Sequence, residues 1–509
     1  MSAYYEPLSH LDASFLALES RNTHMHVGAI AVFEAGPLRG EGGGIDIEKV
    51  RRHVASKLPM IPRYRERLAW VPLEGTPVWV DDEHFNLDFH VRHISLPRPG
   101  STDQLKDLAG MLMSQALDRE KPLWELYVVE GIDDDKFALV SKIHHAMIDG
   151  VAGVDLMAVL LGFAPSDEIE DAPQWEPRPV PNGTELFVRE TSRRISSAIA
   201  SLANVTAFPG EVENIGREVF HRLRAVGASL SSGWLIPASK TPINGPIGPN
   251  RRFDWLDLPL DDVKAIKNAL GGTVNDVILA TVAGGVRTFF LEERQMSQDE
   301  LWKLDYRAMA PVSVRSDDQR GTMGNQVAMW LVTLPVGIED AAERLRFVTK
   351  QTVHLKESEQ ALGASTIVRT ASGAPATLVS MGARLAANVR PFNLTVTNVP
   401  GPQFPMYLLE SPLQATYPLV PLWQGHGVAV ALFSYDGTVN WGFNGDFDLL
   451  HDLPAFSASM AAGFAELLKA AENPPDEKDE EAGEDEKAAA DTTEERSRTP
   501  RKMPPIGTR

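Results

Sequence analysis

The stretch KIHHAMIDGVAG, residues 142–153, sets two adjacent histidines, His144 and His145, just ahead of the pair Asp149 and Gly150. An imidazole has an unperturbed pKa of about 6.5, so it can take up a proton near neutrality, and burial of the neutral ring lowers that value. The stretch therefore suits general-base activation of a hydroxyl. The chain has 13 histidines among 509 residues, and the four fixed letters of HHxxxDG arise by chance in roughly one chain in a thousand at average residue usage. Asp149 is placed to orient the loop, to balance a nearby arginine or to cap the helix that follows, while Gly150 removes a side chain where a substrate would approach. Two other readings compete. A histidine pair in a loop is often structural, and His144, His145 and Asp149 could in principle bind a metal. Adjacent residues of an extended strand point to opposite sides, and no HExxH or cysteine partner accompanies them, so no metal site is expected.

Other chemistries find no residues to carry them. The chain has no cysteine, which excludes disulfides, thiolate metal sites and sulfur nucleophiles. No GxSxG elbow, GxxxxGK[ST] loop or GxGxxG fingerprint occurs, which argues against a serine acyl-enzyme, an NTPase and a dinucleotide enzyme. A hydrophobic fraction of 43% and a charged fraction of 23% are ordinary for a globular protein, and the length suggests two substantial domains. The formal charge of -20 argues against a nucleic-acid partner, although much of it is local: residues 471–495 hold 12 Asp or Glu against 2 Lys. That tail lacks the apolar residues needed to offset ordering entropy, so 471–509 is expected to be disordered. The N-terminus reads as neither a signal peptide nor a membrane span, and no run of about 20 uninterrupted apolar residues is found, so a cytoplasmic protein is expected, at most peripheral to a membrane.

The histidines must be delivered by the elements around them. LWELYVVEG and KFALVSKIHH are strand-like runs joined across an acidic turn, an expected antiparallel hairpin that brings the histidines to its end. DGVAGVDLMAVLLGF has helical periodicity, which places the motif at a strand-to-helix junction. Upstream, HMHVGAIAVFE reads as a strand from near His24. A helix is expected from about Asp46 to before Pro59, and another capped by Ser101 or Thr102 with Leu105, Leu108, Leu112 and Leu117 inward. Residues 164–183 are rich in proline and acid and mark a linker. Two helical patterns follow, through Ile195, Ile199, Leu202 and Val205 and then Val212 to Leu230, with arginines on their polar faces; they fit helices packed across domains, or a basic surface for an anionic membrane. A second α/β unit begins near residue 246, with a long helix in GGTVNDVILATVAGGVRTFF and strands in QVAMWLVTLPV, FNLTVTNVPGP, HGVAVALFSYDG and TVNWGFNGD. The mixture of strands and helices in both halves fits two related α/β sandwich domains.

KIHHAMIDG resembles the catalytic motif of the bacterial wax ester synthase/diacylglycerol acyltransferase family, within the broad class of HHxxxDG CoA-dependent acyltransferases. The likeness extends from LSHLDASFLALESRNTHMHVG to about Asp452 and includes Pro122-Leu123-Trp124, Asn275-Asp276, PVSVR with Gly324 and Asn325, and TNVPGP. It implies two similar chloramphenicol-acetyltransferase-like domains with a tunnel at their interface: an N-terminal domain over 1–172, a linker and connecting helices over 173–245, a C-terminal domain over 246–470 and the tail. It also implies transfer of a fatty acyl group from acyl-CoA, a substrate rather than a cofactor, to diacylglycerol or a long-chain alcohol. His145 is then the general base and His144 its support, with Asp149 structural and paired to an arginine, of which Arg315 is one candidate. The developing oxyanion needs a donor, for which Asn275, Thr395 and Thr397 are candidates; Asp276 and Thr273 also have capping-box spacing, and Trp124 suits a supporting core position. For polyanionic CoA, Arg63, Arg65, Arg67, Arg251 and Arg252 are candidate contacts or ordinary surface charge. The partners expected are acyl-CoA, the acceptor lipid and a membrane or lipid-droplet surface. Alternatives are an inactive lipid-binding or scaffold member of the fold and a condensation-type enzyme acting on another acceptor.

Overall fold

The computed structural model describes residues 4–147, 156–206, 234, 236–313, 327–357 and 390–474. The first half runs through β1 (Glu6–Pro7), α1 (His10–Leu18), β2 (His26–Glu34), α2 (Ile47–Lys57), β3 (Glu66–Trp70), β4 (Pro77–Asp81), β5 (Val91–Ser95), α3 (Thr102–Ser114), β6 (Trp124–Ile132), β7 (Lys136–His144), α4 (Leu156–Leu160), β8 (Leu161–Gly162) and α5 (Gly183–Thr206). The second half runs through β9 (Arg251–Pro259), α6 (Leu260–Leu270), α7 (Val274–Glu292), β10 (Arg307–Ser313), β11 (Val327–Thr333), α8 (Ala341–Glu357), β12 (Leu394–Pro400), β13 (Tyr407–Leu408), β14 (Ser411–Leu419), β15 (Val428–Tyr435), β16 (Thr438–Asp446) and α9 (Leu453–Glu472).

Local sequence explains most of these boundaries. Asp46 caps α2 by accepting from the Lys49 amide at 2.9 Å, and Ser101 and Gln104 form a reciprocal capping box at the start of α3. A capping side chain satisfies an amide that has no partner within the helix, which is why Ser, Thr, Asp and Asn start helices. The β6–β7 hairpin turns through Asp134 and Asp135, both at positive φ, a conformation that Asp tolerates better than most residues. Strand β2 begins at His26, two residues later than its pattern suggests. The expected helix after the HHxxxDG motif is described only as α4; its earlier part, the pattern Val212–Leu230 and the tail from residue 475 lie outside the described residues.

Two large sheets organise the molecule. One has the order β5-β6-β7-β2-β14-β13-β8 and the other β11-β10-β12-β15-β16-β9, with a small β1-β4-β3 sheet beside the first. In the second unit α7 and α9 cover one face of the sheet, joining Val277, Ile278, Val282, Phe289, Phe456 and Met460 to Leu394, Val396, Val430 and Phe443 in one core. Helix α7 is long and apolar enough to cross a membrane, but 78% of that apolar window is buried inside the protein, as suits a core helix.

The halves are not independent modules. Strands β13 and β14, at residues 407–419, complete the first sheet: β14 pairs antiparallel with β2, from Leu413 opposite Phe33 to Leu419 opposite Gly28. A linear division that gives all of 246–470 to the second domain does not contain this exchange. Strand β14 also lies directly on the second sheet, where a Cβ on Gly442 would stand 2.0 Å from the Pro418 carbonyl oxygen. Helix α3 meets β9 in the same way, at Gly110 against the Arg251 carbonyl. Only glycine permits such close backbone approach.

Candidate active site

The end of β7 falls between the two histidines. His144 ends β7 opposite His26 of β2, whereas His145 opens a single 3-10 turn and stacks face to face on Phe15 of α1, ring centroids 3.8 Å apart and planes at 25°. The Nδ1 of His144 accepts the Ala146 amide at 3.0 Å. It therefore keeps its lone pair, and the proton of the neutral ring sits on Nε2. That Nε2 faces Glu19 Oε1 at 3.2 Å, close enough for strong attraction though off the line of an ideal hydrogen bond. His144 is spent on structure.

Glu19, which follows α1, is the hub of this support. Its Oε1 accepts the Met25 amide at 2.9 Å and lies 3.7 Å from His26 Nε2, while Oε2 accepts from Arg119. Burial alone would raise its carboxyl pKa, but His144, Arg119 and the Met25 amide together hold it well below the usual carboxylate range. The Met25 carbonyl in turn accepts the His145 backbone N–H at 2.7 Å. One carboxylate thus ties down His144 directly and the His145 backbone through Met25. Burial, with Lys142 and His144 acting in the same sense, keeps His26 well below its ordinary pKa, and His24 stacks on it at 5.2 Å.

His145 has a different environment. Its Nδ1 is buried, and among the described residues no other residue hydrogen-bonds to it. Burial lowers its pKa to about 4, opposed by its own main-chain carbonyl and assisted by His144. The ring is therefore neutral at pH 7, the form a proton acceptor needs. Asp149, Gly150, Arg315, Gly324 and Asn325 lie outside the described residues.

The remaining candidates are dispersed. Asp276 is not free to bind a substrate: Oδ2 accepts the Thr273 amide and hydroxyl, both at 2.8 Å, and Oδ1 accepts the Thr352 hydroxyl at 2.7 Å. The capping role is the one it fills. Asn275 lines a groove of about 440 Å³ with Lys264, Asn398, Gly401 and Gln403, on the face of the second sheet that α7 covers. Thr395 and Thr397 look the other way, because Leu394 and Val396 alternate with them into the core beneath α7. Phe433 shares that second face through its pairing with Val399 and packs on the first-half core that holds Ala146 and Met147. Asn275 and the two threonines therefore cannot serve one oxyanion from the same side. The Thr395 hydroxyl is buried and has no hydrogen-bond partner among the described residues.

Trp124 is fully buried, its indole donating to the Tyr64 carbonyl at 2.8 Å and stacking on His90 at 4.6 Å. The arginines considered for CoA have internal partners. Arg63 pairs with Glu6 and Glu66, each at 2.6 Å; Arg65 lies over Trp175; and Arg67 lies 3.9 Å from Asp82. Arg251 is buried among the Asn22, Gly248 and Asn250 carbonyls, and Arg252 lies over Phe447. They stabilise the fold. Phe15, Glu19, Met25 and His26 were not singled out by the sequence; their traces were the four-residue spacing of Phe15 and Glu19 and the alternation of His24 and His26.

Comparison with known proteins places this geometry. A model described as the wax ester synthase/diacylglycerol acyltransferase catalytic domain matches residues 8–278, and one for the WS/DGAT C-terminal domain matches 323–468. The chain belongs to the wax ester synthase/diacylglycerol acyltransferase family. The "Probable diacyglycerol O-acyltransferase tgs1" of Mycobacterium tuberculosis (strain CDC 1551 / Oshkosh) is 32% identical over 91% of this chain and 95% of its own length. The "Probable diacyglycerol O-acyltransferase tgs2" of the same strain is 32% identical over 90% of this chain and 98% of its own. Among solved structures, the wax ester synthase/diacylglycerol acyltransferase from Marinobacter aquaeolei VT8 aligns with a TM-score of 0.63 at 27% identity, covering 91% of this chain and 99% of that one. The starter condensation domain of rhizomide synthetase RzmA aligns with a TM-score of 0.54 at 12% identity, over 92% of this chain and 95% of its own, a likeness of fold alone. Within the family's two matched regions, His145, Phe15 and Glu19 fall in the catalytic domain, and Thr395 and Thr397 in the C-terminal one.

Proposed function

We propose that this chain transfers a fatty acyl group from acyl-CoA to diacylglycerol, or to a long-chain alcohol, with His145 as general base. The observation that carries this reading is the neutral, largely enclosed ring of His145 directly after β7, set apart from a companion histidine whose nitrogens are committed to the fold. His145 takes the proton of the acceptor hydroxyl as its oxygen attacks the thioester carbonyl. The tetrahedral species collapses, the carbon–sulfur bond breaks, and the imidazolium returns the proton to the CoA thiolate. No acyl-enzyme forms and no net proton leaves the site, so acyl-CoA is a substrate and no cofactor is required. The orphan hydroxyl of Thr395 is the oxyanion donor in this reading, supported by its position on the sheet face turned toward the first half. Asp149 and Gly150 shape the loop. Diacylglycerol is the first acceptor to test because the mycobacterial relatives are named for it, and the Marinobacter name supports a long-chain alcohol as the second.

The product is water-insoluble, which favours a protein working in the cytoplasm against the inner membrane or a lipid body. Exposed Trp70, Leu73 and Val188 supply apolar side chains for such contact. Purified protein supplied with labelled acyl-CoA and either acceptor is expected to form triacylglycerol or wax ester; ester from neither acceptor overturns the reading. Flotation with lipid vesicles checks the peripheral association, which predicts recovery of protein in the lipid fraction.

A further inference from the structure

We infer that Phe15 is a positioning residue for His145, holding the imidazole plane so that its proton-accepting nitrogen meets the acceptor hydroxyl. This rests on the reading of His145 as the base. Among the described residues the buried histidines have polar partners: His53 the Leu160 carbonyl, His90 that of Trp124, His426 those of Phe392 and Gln424, His144 the Ala146 amide and Glu19, and His26, more loosely, Glu19 at 3.7 Å. His145 differs. Among the described residues its backbone is anchored to Met25, but no hydrogen bond from another residue holds its ring. Apart from the ring's contact with its own main-chain carbonyl, the parallel ring of Phe15, 3.8 Å away and itself buried, is what restrains rotation about the side-chain bonds.

The arrangement has a chemical logic. A hydrogen bond to Nδ1 from a neighbouring group would fix the ring but would also couple the base to a second titrating or polar site, whereas an apolar face fixes the plane and leaves the proton acceptor unengaged. The restraint also comes from the right element. Phe15 and Glu19 lie four residues apart on one chain segment, so α1 and its C-terminal cap grip both histidines, Phe15 by stacking on His145 and Glu19 by facing His144. Helix α1 is set by Ser9, whose side chain accepts the Asp12 amide at 3.1 Å, and by Leu16, which enters the first-half core. Any displacement of α1 would be felt at both rings.

A base displaced by about 1 Å can lose on the order of a hundredfold in rate, so loss of the planar contact should appear in turnover rather than in binding. The test replaces Phe15 with Leu and with Met, which keep apolar bulk without a plane, and with Tyr and Trp, which keep the plane. Circular dichroism and Tm establish folding. We expect Phe15→Leu and Phe15→Met to lower kcat by at least about tenfold, with KM for acyl-CoA and diacylglycerol within about twofold of the parent, and Tyr or Trp to recover most of kcat. Parent-like kcat in folded Leu or Met variants overturns the inference, as does a loss confined to KM or failure of both aromatic variants to recover turnover while folded. His145→Ala, assayed alongside, separates the two readings. An active His145→Ala removes the base assignment, whereas an inactive His145→Ala beside fully active Phe15→Leu removes only the role of Phe15.

Discussion

Two buried histidines, His90 and His426, and the partly buried His145 are each lowered to about pKa 4, first by desolvation. In the unfolded chain each returns toward 6.5, so between pH 6.5 and about 4 the unfolded state binds more protons than the native one and stability falls as pH falls. Above pH 6.5 this contribution is fully present. Glu19 acts in the same direction lower down: its depressed carboxyl stabilises the fold above its ordinary value near 4.5 and loses that contribution as pH drops further. Thermal unfolding should therefore show Tm nearly level from pH 8 to 7 and declining steadily from pH 6.5 to 4; a level Tm across that window would contradict the burial of these rings. Glu19→Gln should cost about 2–4 kcal/mol of stability, because it leaves Arg119 and His144 facing a neutral group; chemical denaturation measures it, and an unchanged midpoint would remove Glu19 as the hub. At this scale the sequence anticipated different surroundings for His144 and His145 from strand alternation, whereas the structure separates them by ending β7 at His144 and opening a 3-10 turn at His145. The sequence did not disclose Phe15 or Glu19, because their contacts depend on how α1 docks rather than on anything within it.

Elements were legible wherever a local rule decides them. Asp46, Ser101 and Thr273 mark helix starts by their own side chains, and the caps are present at all three. The same rule reassigns Asp276, whose place beside Asn275 suggested contact with substrate but whose carboxylate is consumed by Thr273 and Thr352. Asp276→Ala should thus lower stability by about 1–2 kcal/mol while leaving kcat within about twofold. Urea unfolding and turnover measured on one preparation check this, and a large kcat loss without destabilisation would return Asp276 to the site. The faces of β12 were not legible from the sequence. Leu394 and Val396 could have faced either side until α7 covered one of them, and only then do Thr395 and Thr397 acquire a direction.

Across the whole molecule, the resemblance carried by KIHHAMIDG, PLW, ND and TNVPGP anticipated two α/β units, and the family comparisons agree with it. The strand exchange was not legible, because the pattern of SPLQATYPL fixes an extended segment without saying which sheet it joins; pairing between residues nearly four hundred positions apart is a property of the assembled fold. The exchange brings the halves into close backbone contact at Gly442, where an added methyl would meet the Pro418 carbonyl. Gly442→Ala should cost about 1–3 kcal/mol by overpacking and depress turnover as the two sheets shift apart, read by Tm and acyl transfer; a variant with parent Tm and turnover would show the contact to be dispensable. The most direct test of the base assignment is the rate of triacylglycerol formation from labelled acyl-CoA and diacylglycerol at saturating concentrations and pH 7, for the parent protein and for folded His145→Gln. The variant should turn over at least about a hundredfold more slowly, and a rate comparable to the parent would contradict His145 as the base.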